Sequence, residues 1–239
     1  MLKLDASGSE WIAADRAMRA ASTSSDPLLL AEAHRMLGSV FRRAAQADSR
    51  RAAQHHDRAQ ALTLAAAEHL DINTRNPKQD HLALHGLLMC SAGYAAARAG
   101  DRDRTTTFLH EAQITVDRLA PGTTAHQQLA ANVLSHQVSA HYLLGDAGTA
   151  LHHARAASAL TFPDTERHAR YLGDVALCFA QWGKPARAHT LLHVIERLAP
   201  DEVRTRTTMR RLIGELLDKP GDAPQRDLQA LATRAGIRR

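Results

Sequence analysis

The chain has 239 residues, of which 44% are hydrophobic, and this apolar fraction excludes a disordered protein. Alanine accounts for 46 residues and aromatic side chains for only 4%, a composition that favours close-packed helices over strands. No run of about 18 apolar residues occurs, so we expect no membrane span. The net charge is +5, and 26 of the 30 basic residues are arginine. This charge leaves open that the protein binds nucleic acid or an acidic partner.

Turn-forming sequences divide the chain into helical segments. In chain order the breaks are Ser24 to Pro27, Asn73 to Pro77, Pro121 to Thr123, Phe162 to Asp164, Pro200 to Glu202 and Pro220 to Asp222. Most of the stretches between them are about 35 to 45 residues long, enough for two antiparallel helices. We therefore predict a single domain with an N-terminal helix over 1–22, about four helical pairs over 28–200 and capping helices over 201–239.

Three predicted corners share one pattern, in which glycine ends the first helix of a pair. Glycine suits the left-handed residue that follows a helix. Small or slender residues lie at matching places on both helices, where they would let the pair pack closely. The turn glycines are Gly100, Gly145 and Gly183, with Gly93, Val138 and Ala176 seven residues before them and Ala150 and Ala188 five residues after the last two.

This pattern resembles the tetratricopeptide repeat. Residues Leu37 to Phe41 (LGSVF) match the Leu-Gly-x-x-aromatic core of that repeat, and Tyr94 lies near the equivalent place in the next unit. The turn glycines are 45 residues apart (100 to 145) and then 38 (145 to 183), whereas the family period is about 34. The resemblance implies an all-α, right-handed α-solenoid of degenerate tetratricopeptide-like helical pairs.

A second resemblance rests on four stretches. They are Trp11 to Ala21 (WIAADRAMRAA), Asp26 to Leu30 (DPLLL), Gln181 to Pro185 (QWGKP) and Leu198 to Arg204 (LAPDEVR). Together they look like the C-terminal sensor half of actinobacterial XRE-type helix-turn-helix transcriptional regulators, which implies a cytoplasmic regulatory protein. Residues 1–10 are too short for the family's DNA-binding domain, so we expect a chain that lacks it.

The C-terminal segment resembles part of a DNA reader. Leu228 to Ile237 are similar to the first helix and turn of a helix-turn-helix, but the chain ends at Arg239, before a recognition helix could follow. We therefore expect a capping helix and no sequence-specific DNA binding. Nonspecific binding to nucleic acid remains open through the clustered arginines. These are Arg42, Arg43, Arg50, Arg51, Arg204, Arg206, Arg210 and Arg211.

Catalytic and metal-binding patterns are lacking in the sequence. It contains no Gly-x-Ser-x-Gly and no glycine loop that would cradle a phosphate, so we expect neither an enzyme nor a cofactor. The pairs His81/His85 and His189/His193 would each share a helix face, but no third ligand follows them, and we expect no metal. We interpret Cys90 and Cys178 as buried thiols, with a disulfide as the alternative.

The predicted site is a concave groove lined by the first helix of each pair. Arginines could hold a carboxylate through two parallel hydrogen bonds, and tyrosines would supply flat contact area. This chemistry favours a peptide or a small organic ligand. The candidate groove residues are Arg35, Ser39, Arg42, Tyr94, Arg98, Asn132, Ser135, Ser139, Tyr142, Arg170 and Gln181.

The sequence thus predicts a binding module: a regulatory sensor that takes up a peptide or small signal and then changes its association with a partner. The alternative is a constitutive protein–protein adaptor that docks a partner helix or tail in the same groove. A homodimer is also expected, through an exposed apolar stripe near the C-terminus. That stripe consists of Leu212, Ile213, Leu216 and Leu217.

Overall fold

The computed structural model describes residues 8–47, 50–156, 162, 164–218 and 225–237. These residues form twelve α-helices and no strand, which confirms the predicted all-α class. In chain order the helices are α1 (Gly8–Ser24), α2 (Pro27–Ala47), α3 (Ala52–Glu68), α4 (Gln79–Arg98), α5 (Arg102–Arg118), α6 (Thr124–Leu143), α7 (Ala147–Ala156), α8 (Thr165–Gln181), α9 (Pro185–Leu198), α10 (Pro200–Thr205), α11 (Thr207–Asp218) and α12 (Gln225–Arg234). Across the described ranges, no helix has both the length and the apolar character that crossing a membrane requires. The predicted break at 220–222 and residues 1–7 of the predicted first helix lie outside the described residues.

The chain divides into two compact units, Met1–His136 and Gln137–Arg239. The division falls within α6. Each unit has its own cluster of buried apolar side chains, so each buries a core of its own.

Unit 1 is built from neighbouring helices that pack closely. Helix α2 packs on α3, and α4 packs on α5. Gly93 permits the second of these contacts, because a Cβ there would lie 3.0 Å from the Cγ and Cδ2 atoms of Leu109. Gly86 does the same toward α6, where a Cβ would lie 2.5 Å from Cδ2 of Leu129. Large side chains at the centre of this core include Leu82, Leu88, Leu119, Leu129 and Val133.

The turn between α4 and α5 shows why the chain reverses where the sequence predicts. Gly100 has a φ of 77°, a left-handed conformation that costs glycine little. The backbone N–H of Asp101 then donates to the carbonyl of Ala96 at 3.0 Å, which closes the last turn of α4. The Asp101 carboxylate accepts from the N–H of Arg104 at 3.0 Å and caps α5. Gly145 and Gly183 have the same left-handed conformation at the other two predicted corners.

Unit 2 packs α8 against α9, with α10, α11 and α12 following along the chain. The carboxylate of Asp164 accepts from the N–H of Arg167 at 2.7 Å and caps α8. Ala176 and Ala188, two of the predicted small contact residues, are fully buried. The core of this unit also contains Leu192, Ile195 and Met209.

One prediction about unit 2 is wrong. The apolar stripe expected to be exposed for dimerisation is buried in the core of the unit, with at most 6% of any of its residues exposed. Its members are Leu212, Ile213, Leu216 and Leu217. The helix α12 packs on α11 and brings Leu228 and Leu231 into the same core. The stripe therefore stabilises the unit itself and offers no surface to a second copy.

Candidate functional site

The eleven residues predicted to line one groove are divided between the two units. Unit 1 contains Arg35, Ser39, Arg42, Tyr94, Arg98, Asn132 and Ser135, and unit 2 contains Ser139, Tyr142, Arg170 and Gln181.

Arg35, on α2, is already paired. Its Nε and Nη2 atoms donate to the two carboxylate oxygens of Glu32, one turn earlier, at 2.7 and 2.5 Å. This fork uses the geometry that would otherwise hold the carboxylate of a ligand. A ligand would have to displace Glu32 to use the same two donors.

Arg42, two turns further along α2, is only partly satisfied. Its Nη2 atom donates to Oγ of Ser39 at 2.7 Å. Its Nη1 atom is buried and has no hydrogen-bond acceptor in the described part of the chain. That atom lies 3.5 Å from where a Cβ on Gly38 would stand, an ordinary contact distance, whereas the same Cβ would lie 3.3 Å from the carbonyl oxygen of Ala59 on α3.

The surroundings of Arg42 disfavour its charge. Burial, followed by the positive charge of Arg35, lowers the pKa of Arg42 from 12.5 to about 10. Tyr94 on α4 acts in the opposite direction, while Arg43 adds to the lowering. Arg42 therefore stays protonated at neutral pH, in a place where no carboxylate of the described residues balances it through a hydrogen bond.

A second buried donor comes from α4. The Nε atom of Arg98 is buried and, like Nη1 of Arg42, has no acceptor among the described residues. The charges of both arginines act on His56, on α3. Burial lowers the pKa of this histidine most, and the positive charges of Arg98 and Arg42 lower it further, while Asp57 opposes the shift. We call Arg42, His56, Tyr94 and Arg98 the arginine site.

The arginine site thus draws its side chains from three helices of unit 1. Tyr94 presents its ring edge-to-face to His136, with ring centroids 6.3 Å apart. Two guanidinium donors without acceptors in a positive, partly desolvated environment would be stabilised by an anion. A carboxylate is one such anion, since guanidinium groups readily donate hydrogen bonds to its two oxygens.

The remaining predicted residues of unit 1 lie on α6. The Nδ2 atom of Asn132 donates to the carbonyl of Gln128 on its own helix at 2.7 Å. Ser135 is half-buried, one turn further along. The structure thus places Arg42 within electrostatic range of Tyr94 and His56, places His56 within that of Arg98, and engages Asn132 within α6.

The predicted residues of unit 2 make contacts within the protein. Arg170 pairs with Glu166 at 2.6 Å and with the buried Glu202 at 3.3 Å. Oγ of Ser139 donates to Asp174 at 2.5 Å, and Asp174 also pairs with Arg206 at 2.9 Å. In a further contact between predicted residues, Nε2 of Gln181 donates to the carbonyl of Tyr142 at 3.3 Å. These side chains build a polar network that ties α6, α8 and α10 to one another.

The arginines of the C-terminal cluster also make contacts within unit 2. Arg206 pairs with Asp174, and Nη1 of Arg210 donates to the carbonyl of Ala235 at 2.8 Å. Arg211 lies 3.5 Å from the carboxylate of Glu215. Paired and carbonyl-bound arginines of this kind favour a structural role over contacts with phosphates.

His56 is the member of the arginine site that sequence reasoning missed. Its position near Arg42 and Arg98 depends on how α3 packs against α2 and α4. The spacing of these residues along the chain does not predict that packing. A weak signal was the adjacent pair His55 and His56 near the start of α3.

The two buried thiols and the pair His81 and His85 do not form a reactive or metal-binding site in the described part of the chain. Burial raises the pKa of both Cys90 and Cys178 to about 12, so each thiol is inert at neutral pH, and both are free. His85 lies 3.3 Å from Oγ1 of Thr115 through its Nδ1 atom. Together with His81 it forms no three-ligand group in the described ranges.

Comparison of the chain with protein-family models, with curated proteins and with solved structures finds no match in any of the three. The resemblances to the tetratricopeptide repeat and to regulator sensor domains therefore stay predictions.

Proposed function

We propose that this chain is a non-catalytic binding module whose arginine site takes up a ligand carboxylate, on a peptide or on a small organic molecule. One observation carries the proposal: Nη1 of Arg42 and Nε of Arg98 are buried donors without an acceptor among the described residues. A buried donor left unsatisfied costs about 1–3 kcal/mol, so a ligand that supplies an acceptor there recovers that free energy.

The other members of the site support the same class of ligand. His56 donates or accepts a hydrogen bond according to its tautomer, and Tyr94 offers a flat ring beside the charged groups. The carboxylate would bind at the guanidinium groups while an uncharged part of the ligand packs on Tyr94. The positive charges of Arg42 and Arg98 select against cationic and strongly apolar compounds.

The regulatory role belongs to the same proposal. Binding neutralises a buried charge between α2, α3 and α4, and so the ligand stabilises the arrangement of these helices that holds it. A change in that arrangement would alter how the protein associates with a partner. The tetratricopeptide-like arrangement, the sensor role and a cytoplasmic location rest on the sequence resemblances alone.

A constitutive adaptor is the second candidate function, and the same donors favour it. The side-chain carboxylate of an acidic partner segment, or the C-terminal carboxylate of a partner chain, would satisfy Arg42 and Arg98 equally well. The two functions differ in whether the bound molecule is a small compound or a polypeptide.

Native mass spectrometry of the protein, purified from its own host at near-physiological salt, separates these functions. A discrete additional mass of a few hundred daltons or less would support the sensor and provide the ligand for identification. An additional mass of a whole polypeptide would support the adaptor. A bare chain at every salt concentration, with no bound carboxylate, would contradict both.

A further inference from the structure

Three side chains with metal-binding atoms converge in unit 2, outside the arginine site. They are His189 and His193 on α9 and Asp227 on α12, and one donor atom from each lies within 4.8 Å of the other two. The Nε2 atoms of the two histidines are 3.0 Å apart. The Nε2 atom of His193 is 3.7 Å from Oδ2 of Asp227.

We propose that these three residues bind a Zn²⁺ ion through Nε2 of each histidine and a carboxylate oxygen of Asp227. Zinc binds imidazole nitrogens at about 2.0–2.1 Å, which places two such nitrogens about 3.3–3.4 Å apart around a tetrahedral ion. The observed separation of 3.0 Å needs only a small shift to reach that value. Two nitrogens and one carboxylate suit zinc, whereas Mg²⁺ and Ca²⁺ prefer shells of oxygen atoms.

The local structure fixes all three ligands. Residues four apart lie on one face of a helix, so α9 aims both imidazoles in the same direction. His189 is buried, and its neighbours Leu192 and Ile195 anchor α9 in the core. Leu228, next to Asp227, is buried in the same core and thereby holds the start of α12 against α9.

A further pair of charged residues lies beside one of the imidazoles. The Nδ1 atom of His193 lies 3.6 Å from Oε2 of Glu196. Arg234 on α12 holds that carboxylate through Nε and Nη2, at 2.6 and 2.8 Å. A carboxylate beside the nitrogen that does not bind the metal favours the tautomer whose Nε2 lone pair faces the ion, an arrangement that metal sites commonly use.

The site explains why a metal was not expected from the sequence. The pair on α9 supplies two ligands, and the third lies on another helix, 34 positions beyond His193 (193 to 227). With three protein ligands, the fourth position of a tetrahedral ion would be open to water. The side chain of Asp227 is 64% exposed, so the ion has a path from solvent. A bound ion would also fasten α12 to α9.

The test is a zinc titration of the full chain after treatment with a chelator. Affinity is measured by competition with a chromophoric chelator, and Co²⁺ is then added as a spectroscopic probe. The variants are His193→Ala and Asp227→Asn. His110→Ala is the matched control, because His110 is exposed on α5 and its loss leaves the same number of histidines as His193→Ala. Far-ultraviolet circular dichroism establishes that each variant is folded.

We expect one Zn²⁺ per chain in the wild type and in His110→Ala, and the visible absorption of tetrahedral Co²⁺ in both. His193→Ala should weaken zinc binding by more than about tenfold, and Asp227→Asn, an exposed change that leaves the core intact, should weaken it as well. Stoichiometry below one in the wild type would overturn the proposal. Equal affinities in Asp227→Asn and His110→Ala would overturn it too, since zinc would then bind elsewhere.

Discussion

Arg42 donates a 2.7 Å hydrogen bond from Nη2 to Oγ of Ser39, while its Nη1 atom is buried and has no acceptor in the described part of the chain. The guanidinium group is thus held in place through one nitrogen and is left without an acceptor among the described residues at another, buried nitrogen. A purely structural arginine would have its donors satisfied, as Arg35 has toward Glu32. The difference between these two arginines of α2 leads to the first prediction.

Replacing Arg42 with methionine should stabilise the protein without ligand. Methionine keeps an unbranched apolar stem beside Gly38 and removes a buried charge and an unsatisfied donor, whose cost is about 1–3 kcal/mol. We expect the free energy of unfolding, from urea denaturation, to rise by about 1 kcal/mol or more. A fall of similar size would mean that Arg42 stabilises the fold and is not held open for a ligand.

Close contact between α4 and α6 in unit 1 predicts a steric effect at Gly86. A Cβ there would lie 2.5 and 2.9 Å from the two Cδ atoms of the buried Leu129. Gly86→Ala should therefore lower the free energy of unfolding by about 1–3 kcal/mol despite the higher helix propensity of alanine.

Gly214, in α11, is the matched control for that substitution, because no atom of the described residues, apart from its chain neighbours and the nearby backbone of its own helix, lies within 4 Å of a Cβ placed on it. Gly214→Ala should raise the free energy of unfolding by about 0.5–1 kcal/mol. Thermal and urea denaturation of the two variants would show shifts of opposite sign. Equal shifts would contradict the close approach of Leu129 to α4.

In unit 2, Arg206 connects two acidic residues. Its Nη2 atom lies 2.9 Å from Asp174, and its Nη1 atom lies 3.7 Å from Glu202, whose side chain is only 3% exposed. Arg206→Met should lower the free energy of unfolding by about 1.5–3 kcal/mol, because a charged hydrogen bond is lost and a buried carboxylate loses a partner. Arg211→Met, which affects an exposed pair with Glu215, should change it by less than about 0.5 kcal/mol. Similar losses in both variants would show that the network is no more than a surface feature.

The burial of His85 leads to a prediction of how the free energy of unfolding depends on pH. Burial lowers the pKa of His85 below 6.5, with Glu111 opposing the shift and Arg118 adding to it. The unfolded chain therefore takes up a proton on this residue near pH 6.5 while the folded chain does not, so stability is full above about pH 7 and falls as the pH drops toward the folded pKa.

Urea denaturation at pH 7 and pH 5 would measure this loss, and His85→Gln should reduce it, since glutamine does not titrate. Part of the loss should persist in the variant, because the pKa values of His56 and His153 are also lowered, mainly by burial. An identical pH dependence in wild type and His85→Gln would show that His85 is protonated equally in both states.

Local signals in the sequence predicted the helices well. Gly100, Gly145 and Gly183 end helices because only glycine takes a left-handed conformation at little cost, and that requirement is visible in the sequence itself. The same holds for Asp101 and Asp164, whose side chains cap the helices that follow. All-α structure follows from such signals together with the alanine content.

Contacts between distant helices could not be predicted in the same way. The pattern of Leu212 and its neighbours indicates an apolar face, but whether another helix covers that face depends on where α12 packs. The closeness of His56 to Arg98, and of Asp227 to His193, likewise depends on packing and not on spacing. For Arg35, a partner at the i−3 position was visible in the sequence, and its pairing with Glu32 removes two donors from the predicted groove.

The most direct test of the arginine site is ligand occupancy in matched variants. Arg42→Met and Arg75→Gln are each produced in the native host and examined by native mass spectrometry beside the wild type. Arg75 is exposed between α3 and α4, so its loss removes the same charge without affecting the site. We expect the bound mass to remain in Arg75→Gln and to be lost from Arg42→Met. Equal occupancy in the two variants would contradict the claim that Arg42 binds the ligand.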